Sequence, residues 1–349
     1  MAVGQGSLFG GLSYVAIGRE TTLGTYSTCT SALDALSAAM KTTMETKTLE
    51  QIERSRSYSK QIQLSKTVGG DTEFYFDPMS DACTFILQNA LGGTITSATA
   101  TGETVGGTAM THTFNIGNMD NSYPSLCMNV RKGEATSGRV FQYHGLRVDE
   151  FGIKAEIDEG VMASVKFIGI DSTQVSNDVS GSLTSTQNVP LTFIHGRLSV
   201  ETAFSSLTST SFWHIQSVEF GIKNNLKGDK DSRRIGSSIL TVLPPGMAEF
   251  TLKCKIRFDT TTAYAAMINE TKLSAQLAFV GPTITSSAIA RELRLTMPKV
   301  YIKEAGDPEI GGPDEILMSE VEFNVLREET STSAYPVIAL ITNTKASYA

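Results

Sequence analysis

Glu150-Phe-Gly-Ile-Lys154 recurs letter for letter as Glu219-Phe-Gly-Ile-Lys223, and the flanks of both copies alternate with a period of two. In the first copy Phe151, Ile153, Ala155 and Ile157 point one way, and Glu150, Lys154, Glu156 and Asp158 the other. That period is the mark of a strand with one dry and one wet face. Asp158-Glu-Gly160 then reads as a three-residue hairpin loop with Gly160 at its left-handed position, and Val161–Ile170 returns. The second copy returns through Glu249–Asp259. There Phe250, Leu252, Cys254, Ile256 and Phe258 alternate with Glu249, Thr251, Lys253, Lys255, Arg257 and Asp259. Its two strands are joined by a long connection, residues 224–248, that ends in Leu243-Pro-Pro-Gly246. Duplication and convergent hairpin geometry both account for the repeat. Either way the chain holds two long amphipathic hairpins whose edges nothing in the sequence protects. Unpaired strand edges recruit other strands, and closure of the sheet across symmetric copies removes them.

The rest of the chain is also mostly strand. Residues 292–297 turn Leu293, Leu295 and Met297 inward, and residues 320–325 turn Val321, Phe323 and Val325 inward. Pro336–Ile341 is a continuous apolar run, the pattern of a strand buried on both faces. The clearest helix is predicted over residues 78–91. Asp77 is its N-cap and Pro78 its first residue; Ala82, Phe85, Ile86, Leu87 and Ala90 form its buried stripe, and Gly92-Gly93 is its stop. A Thr260–Thr262 cluster caps a short helix over Ala263–Ile268. Residues 31–55 read as a short helix or a loop. Residues 1–30 read as an arm or edge strand containing Ser13-Tyr-Val-Ala-Ile17, residues 94–111 as an exposed loop or weak hairpin, and residues 171–190 as a second Ser/Thr-rich excursion.

Composition narrows the function. Of 349 residues 40% are hydrophobic, enough for a sizeable core, and only 19% are charged. A formal charge of −7 argues against gripping nucleic acid by neutralising phosphates. Met1 to Gly10 has neither a basic n-region nor an apolar core, so no secretory signal is expected, and no apolar run is long enough to span a bilayer. Cys29, Cys83, Cys127 and Cys254 show no CxxC spacing and read as reduced, buried thiols.

No catalytic constellation emerges. His112, His144, His195 and His214 each stand apart from Cys, Asp or Glu at metal-ligand spacing. Gly4-x-Gly6-x-x-x-Gly10 has no strand before it and no helix after it, so it lacks the context of a phosphate loop. There is no GxSxG elbow and no Walker lysine. Asn269-Glu-Thr271 matches a glycosylation sequon that carries no meaning without secretion. Trp213 and His214 read as packing residues. The reading is of a structural protein with no enzymatic activity, no cofactor and no metal.

The ordered set of motifs resembles the tail tube proteins of long-tailed bacteriophages. It runs from Tyr14-Val-Ala-Ile-Gly-Arg-Glu-Thr-Thr-Leu-Gly-Thr25 through Leu49-Glu-Gln-Ile-Glu-Arg-Ser-Arg56 to Asp77-Pro78…Gly92. The paired Glu-Phe-Gly-Ile-Lys hairpins follow, then Leu243-Pro-Pro-Gly246 and Val321–Leu326. The resemblance implies a mainly β tail-tube fold: a β-sandwich or barrel-like domain over 1–349 with one flanking α-helix. It also implies long hairpins that close into a continuous lumen barrel. Six copies would form a ring, and rings would stack into a hollow tube around a tape-measure protein and later around double-stranded DNA. Tail terminator and tail-tip proteins would cap its ends. The subunit would sit in the virion tail, and in the host cytoplasm during assembly, without contact to membrane. The resemblance implies four lumen strands per subunit; about 24 strands at ~4.8 Å then give a circumference near ~115 Å and a backbone diameter of at least roughly 37 Å, wide enough for a duplex. Residues 94–145 and 171–215 account for the extra length over the smallest tube proteins, as outer loops or a subdomain. That length favours a flexible, sheathless tail.

Under this reading the polar sheet face lines the lumen: Glu150, Lys154, Glu156, Glu219, Lys223, Glu249, Lys253, Lys255 and Arg257. So many bases on one face leave two options, pairing with neighbouring carboxylates or burial of part of the face at subunit contacts. Lys227, Asp229, Lys230, Asp231, Arg233 and Arg234, in the charged connection, are the expected contacts to the next ring. The N-terminal arm through Tyr26 and the segment after Thr342 are further candidates. The alternative is a virion decoration or adhesin-type β surface protein, which would form a monomer or a small oligomer.

Overall fold

The computed structural model describes residues 13–50, 57–103, 107–117, 123–133, 139–175, 183, 188–207, 212–258, 262–285, 287–306, 316–328 and 335–348. Eighteen strands are found among them. The first nine are β1 (Tyr14–Glu20), β2 (Ser31–Leu33), β3 (Ala35–Ala38), β4 (Lys41–Thr48), β5 (Gln61–Tyr75), β6 (Gly92–Thr99), β7 (Met110–Ile116), β8 (Ser125–Arg131) and β9 (Val140–Glu156). The others are β10 (Met162–Gly169), β11 (Asp171–Val175), β12 (Gly196–Glu201), β13 (Ile215–Lys223), β14 (Glu249–Arg257), β15 (Leu273–Thr283), β16 (Ala290–Ala305), β17 (Met318–Val325) and β18 (Ile338–Asn343). Two helices, α1 (Asp81–Leu91) and α2 (Thr262–Ile268), complete the fold.

The two copies of the repeat lie side by side. β9 pairs antiparallel with β13 so that Gly152 faces Gly221, Glu150 faces Lys223 and Lys154 faces Glu219. β10 flanks β9 and β14 flanks β13, as the two hairpins require. The sheet does not end there. β5 covers the outer edge of β10, and β17 covers that of β14. The expectation of unprotected hairpin edges is therefore corrected: both edges are hydrogen-bonded within the chain. β3 and β4 then cover β5, and the C-terminal half of β16 covers β17. Alternation sends Phe151, Ile153, Val165, Phe167, Phe220, Leu252 and Phe323 into the core, each at most 2% exposed. Burying each of these side chains contributes roughly 1.5–3 kcal/mol.

Two long strands carry the sheet into its other layers. The N-terminal half of β9 pairs with β8 and β11, in a small sheet completed by β1 and β2. The N-terminal half of β16 pairs with β18, which pairs in turn with β7 and through it β6, while β15 and β12 continue the layer on its other edge. The result is a mainly β sandwich rather than a closed barrel. Leu293, Leu295, Met297, Val321, Phe323 and Val325 all point into its core, as their spacing predicts. β18 pairs between β16 and β7 with Ala339 and Ile341 fully buried, but Ile338 and Leu340 are only half-buried, so the strand expected to be dry on both faces is fully so on one.

Helix α1 packs where β9 changes layers. The β9–β10 register slips between Lys166 and Phe167, skipping Asp149, and the β9–β13 pairing ends at Glu150 opposite Lys223. Asn89 Oδ1 accepts from Val148 N (2.7 Å), Asn224 Nδ2 donates to Val148 O (2.9 Å), and Asn224 N donates to Asp149 O (2.7 Å). The bulge and the helix thus satisfy one another. Gly92 stops the helix in the left-handed conformation (φ 71°), as expected.

Several local expectations give way to tertiary context. The cap of α1 is Ser80, whose hydroxyl accepts from Cys83 N, while Asp77 Oδ1 accepts from Met79 N in the preceding turn. The left-handed residue in the β9–β10 loop is Asp158 (φ 66°), not Gly160, which lies against the Tyr75 ring. Ile157 is exposed at the end of its strand. The stretch 31–55 holds strands β2, β3 and β4 where a helix or loop was expected. Residues 14–20 form a strand paired on both sides rather than an edge. Residues 94–111, by contrast, take the hairpin alternative, with most of β6 and the start of β7 paired antiparallel. Asp259 to Thr261 and the glycines before Gly11 lie outside the described residues.

Candidate functional site

The wet face of the main sheet brings the predicted polar residues together in cross-strand rows. One row reads Asp71, Lys166, Glu150, Lys223, Glu249 across β5, β10, β9, β13 and β14. A second, four residues along β9, reads Lys154, Glu219, Lys253, Glu322 across β9, β13, β14 and β17. Charge alternates in sign at every step of both. Between them lies a row with a single charge, Glu73, Ser164, Gly152, Gly221, Thr251, Asn324, where the two glycines leave the backbone bare. Glu156, Ser217, Lys255 and Glu320 form a fourth row. Arg257 lies beyond it, opposite Met318. Lys154, Lys166, Lys223, Lys253 and Lys255 each have a carboxylate as a cross-strand neighbour, the first of the two options the sequence left open.

Contacts follow the rows and the neighbours within a strand. Lys166 Nζ lies 2.9 Å from Glu150 Oε1 and 3.7 Å from Asp149 Oδ2. Lys154 Nζ lies 2.7 Å from Glu156 Oε1, and Glu322 takes Lys303 (2.9 Å) on one side and Lys253 (3.6 Å) on the other. The hydrogen bond that Lys166 donates to Glu150 raises the Lys166 pKa, and the one that Lys154 donates to Glu156 raises the Lys154 pKa. Lys303, with Lys253 behind it, holds Glu322 below the ordinary carboxylate value. These groups are largely solvated, so the pairs add little to stability and less as salt rises. Their consequence is electrostatic: the face is studded with cations and carries almost no free positive field.

At one end of the sheet the chain builds two projections. In the connection 224–248, Leu226, Leu240 and Leu243 cluster with Ile170 beneath the loop. Arg233 ties it to β5, donating to Ser238 O (2.7 Å) and Lys66 O (3.1 Å). Asp229 Oδ1 accepts from Asp231 N (3.1 Å). Lys227, Asp229, Lys230, Asp231 and Arg234 are exposed, and Ile235 stands fully in solvent beside Gly236 (φ 91°) at the tip. Of the predicted contact residues, Arg233 is thus an anchor and the other five face outward.

Next to it, β4 and the first half of β5 project as a hairpin that sequence reasoning missed. All eight residues of β4 are exposed, and so are Gln61 to Leu64 opposite. Met44, Ile62 and Leu64 are among its exposed apolar side chains. A strand exposed on both faces gains nothing from burial within its own subunit. The available signal was the Thr-rich alternation of Lys41–Thr48 facing that of Gln61–Thr67, which an Ala-rich neighbour obscured.

The segment after Thr342 does not project. Tyr348 is buried against α1, its hydroxyl donating to Asp81 Oδ1 (2.9 Å), and its ring meets His112 edge-on at 4.6 Å. His112 is itself buried between Ser97 Oγ (2.8 Å) and Asn343 Oδ1 (3.0 Å), and burial lowers its pKa. His144 reaches Gly24 O (3.1 Å), and His195 caps its own 3-10 turn at Thr192. Trp213 packs on Phe323, whereas His214 is exposed, contrary to expectation. Among the described residues no three His, Cys, Asp or Glu side chains are arranged to hold a metal, and no helix is long and apolar enough to cross a membrane.

No curated protein matches the chain. A family model described as phage tail tube protein matches residues 10–325.

Proposed function

The chain belongs to the phage tail tube family and is a structural component of a virion tail, and from this we propose how its surfaces divide the work. Six copies form a ring, rings stack into a hollow tube, and the wet face of β10, β9, β13 and β14 lines the lumen. The tube first encloses a tape-measure protein and later conducts double-stranded DNA, with terminator and tip proteins at its ends. Assembly takes place in the host cytoplasm.

The observation that carries this reading is the alternation of charge across the wet face. A conduit must hold a polyanion without binding it. DNA adsorbs where lysines and arginines are free to replace its counterions. Here Lys166, Lys223 and Lys253 each sit between two carboxylates, Lys154 has Glu219 beside it, and the subunit as a whole carries −7. The wall therefore presents hydrated, locally neutral rows inside a weakly repulsive field.

Contact between rings falls to the two projections at one end of the strands. The β4–β5 hairpin offers exposed apolar side chains, and the neighbouring loop offers Lys227, Asp229, Lys230, Asp231 and Arg234 on the base that Arg233 fixes. Ring closure runs through the outer edges of the main sheet, β3 and β4 on one side and the end of β16 on the other, because the hairpin edges are occupied.

Electron microscopy of the concentrated protein tests the proposal. Hollow striated tubes with six-fold rings are expected. A discrete small oligomer that never elongates, even when seeded with a tail tip, would refute it and favour a decoration protein.

A further inference from the structure

Two of the four cysteines meet. Cys29 Sγ lies 3.4 Å from Cys127 Sγ, both residues are fully buried, and 98 positions of sequence separate them. Cys127 is in β8, and Cys29 stands just before β2. β1 runs between those two strands, paired with each of them. Gly18 of β1 makes the meeting possible. A Cβ there would lie 3.0 Å from Cys127 Sγ and 3.1 Å from Cys29 Cα. The bare backbone of the middle strand lets thiols from its two neighbours touch across it.

We propose that Cys29 and Cys127 are the site of a single intramolecular disulfide, formed when the protein leaves a reducing compartment and meets a low-molecular-weight disulfide. The thiolate of Cys127 attacks one sulfur of that oxidant and releases one thiol. The Cys29 sulfur, giving up its proton, then attacks Cys127 in the mixed disulfide and releases the second thiol. Two cysteine sulfurs are oxidised by one electron each, and one small disulfide is reduced to two thiols.

The geometry favours Cys127 as the first nucleophile. Cys29 donates its S–H to the Cys127 sulfur, which lowers the pKa of Cys127 and raises that of Cys29. The remaining cysteines contrast with this pair. Cys83 in α1 and Cys254 on the dry face of β14 are buried in the core, which pushes both thiols up to about 12. The pair is covered by Tyr14, Tyr26 and Leu183, which are only partly buried, so small side-chain movements admit a reagent. The bond would tie β8 to the lead of β2 and close a loop containing β2 through β7 and helix α1. It would act by constraining the unfolded chain, which is most effective for long loops.

The experiment uses the full-length protein, reduced and then equilibrated with oxidised glutathione. Thiols titrated after denaturation should fall from four to two, a peptide joining Cys29 to Cys127 should appear, and Tm should rise. Cys29→Ser and Cys127→Ser should each lose the cross-linked peptide, while Cys83→Ser should keep it. Retention of all four thiols in the folded protein, a bond to Cys83 or Cys254, or glutathione adducts that never resolve would overturn the proposal. The outcome is independent of whether tubes form.

Discussion

Reversing one charge in the second row, Glu219→Lys, separates the conduit reading from a merely solvated sheet. Glu219 stands between Lys154 on β9 and Lys253 on β14, and the substitution would set three lysines abreast. Opposed side chains on neighbouring strands end about 7 Å apart, where two unit charges in water interact by about 0.6 kcal/mol. Two attractions become two repulsions, so the change is about 2.4 kcal/mol unscreened and about 1 kcal/mol at physiological salt. A chain of this size has an unfolding entropy near ~0.7 kcal/mol/K, so Tm should fall by about 3 °C in dilute buffer and between ~1 and ~2 °C at physiological salt. The fold survives. The electrostatic effect accumulates instead: +2 per subunit is about +12 for a six-membered ring facing the lumen. Variant tubes should retain linear duplex DNA at low salt and release it as salt rises, with a steep logarithmic slope. Parent tubes should not retain it. Assembled tubes of the variant that take up no more DNA than the parent would refute the placement of this face in the lumen. A Tm loss of ten degrees or more would refute the solvated, screened character assigned to the rows.

The remaining expectations are simpler. Gly92→Ala puts a Cβ on a left-handed residue and drives it to within 1.9 Å of the Tyr123 ring, so a loss of more than about 1 kcal/mol is expected in urea unfolding. Phe220→Ala opens a cavity at the centre of the main sheet, where the ring is fully buried, and should cost about 3–5 kcal/mol in the same assay. The folded pKa of His112 lies below its unfolded value because burial disfavours the imidazolium. The unfolded chain therefore binds the proton first, and stability should fall as pH drops below about 6.5 toward the folded pKa. His112→Gln should flatten that part of the pH profile in thermal denaturation. Arg233→Ala frees the charged connection from Lys66 and Ser238. It should slow tube elongation in light scattering while leaving the monomer's Tm nearly unchanged.

What the sequence settled by itself was the set of elements whose cause is local. Strand periodicity assigned Phe151, Ile153, Leu252, Leu293 and Phe323 to the core without reference to any partner, because the pleat alone dictates which face a side chain takes. The stop at Gly92 was legible because a left-handed residue is a local requirement. Tertiary structure decided everything that depends on which strands become neighbours. Two identical five-residue words could have packed in separate hairpins far apart. Their antiparallel pairing about Gly152 and Gly221 is what turns a mixture of acids and bases into rows of alternating sign. The same pairing problem hid the covering of the hairpin edges by β5 and β17, the projection of β4 beyond the body, and the meeting of Cys29 with Cys127 over Gly18. Periodicity encodes direction relative to a sheet. Adjacency between strands distant in sequence is fixed only when the whole core closes, since it rests on many weak complementary contacts and on no single residue.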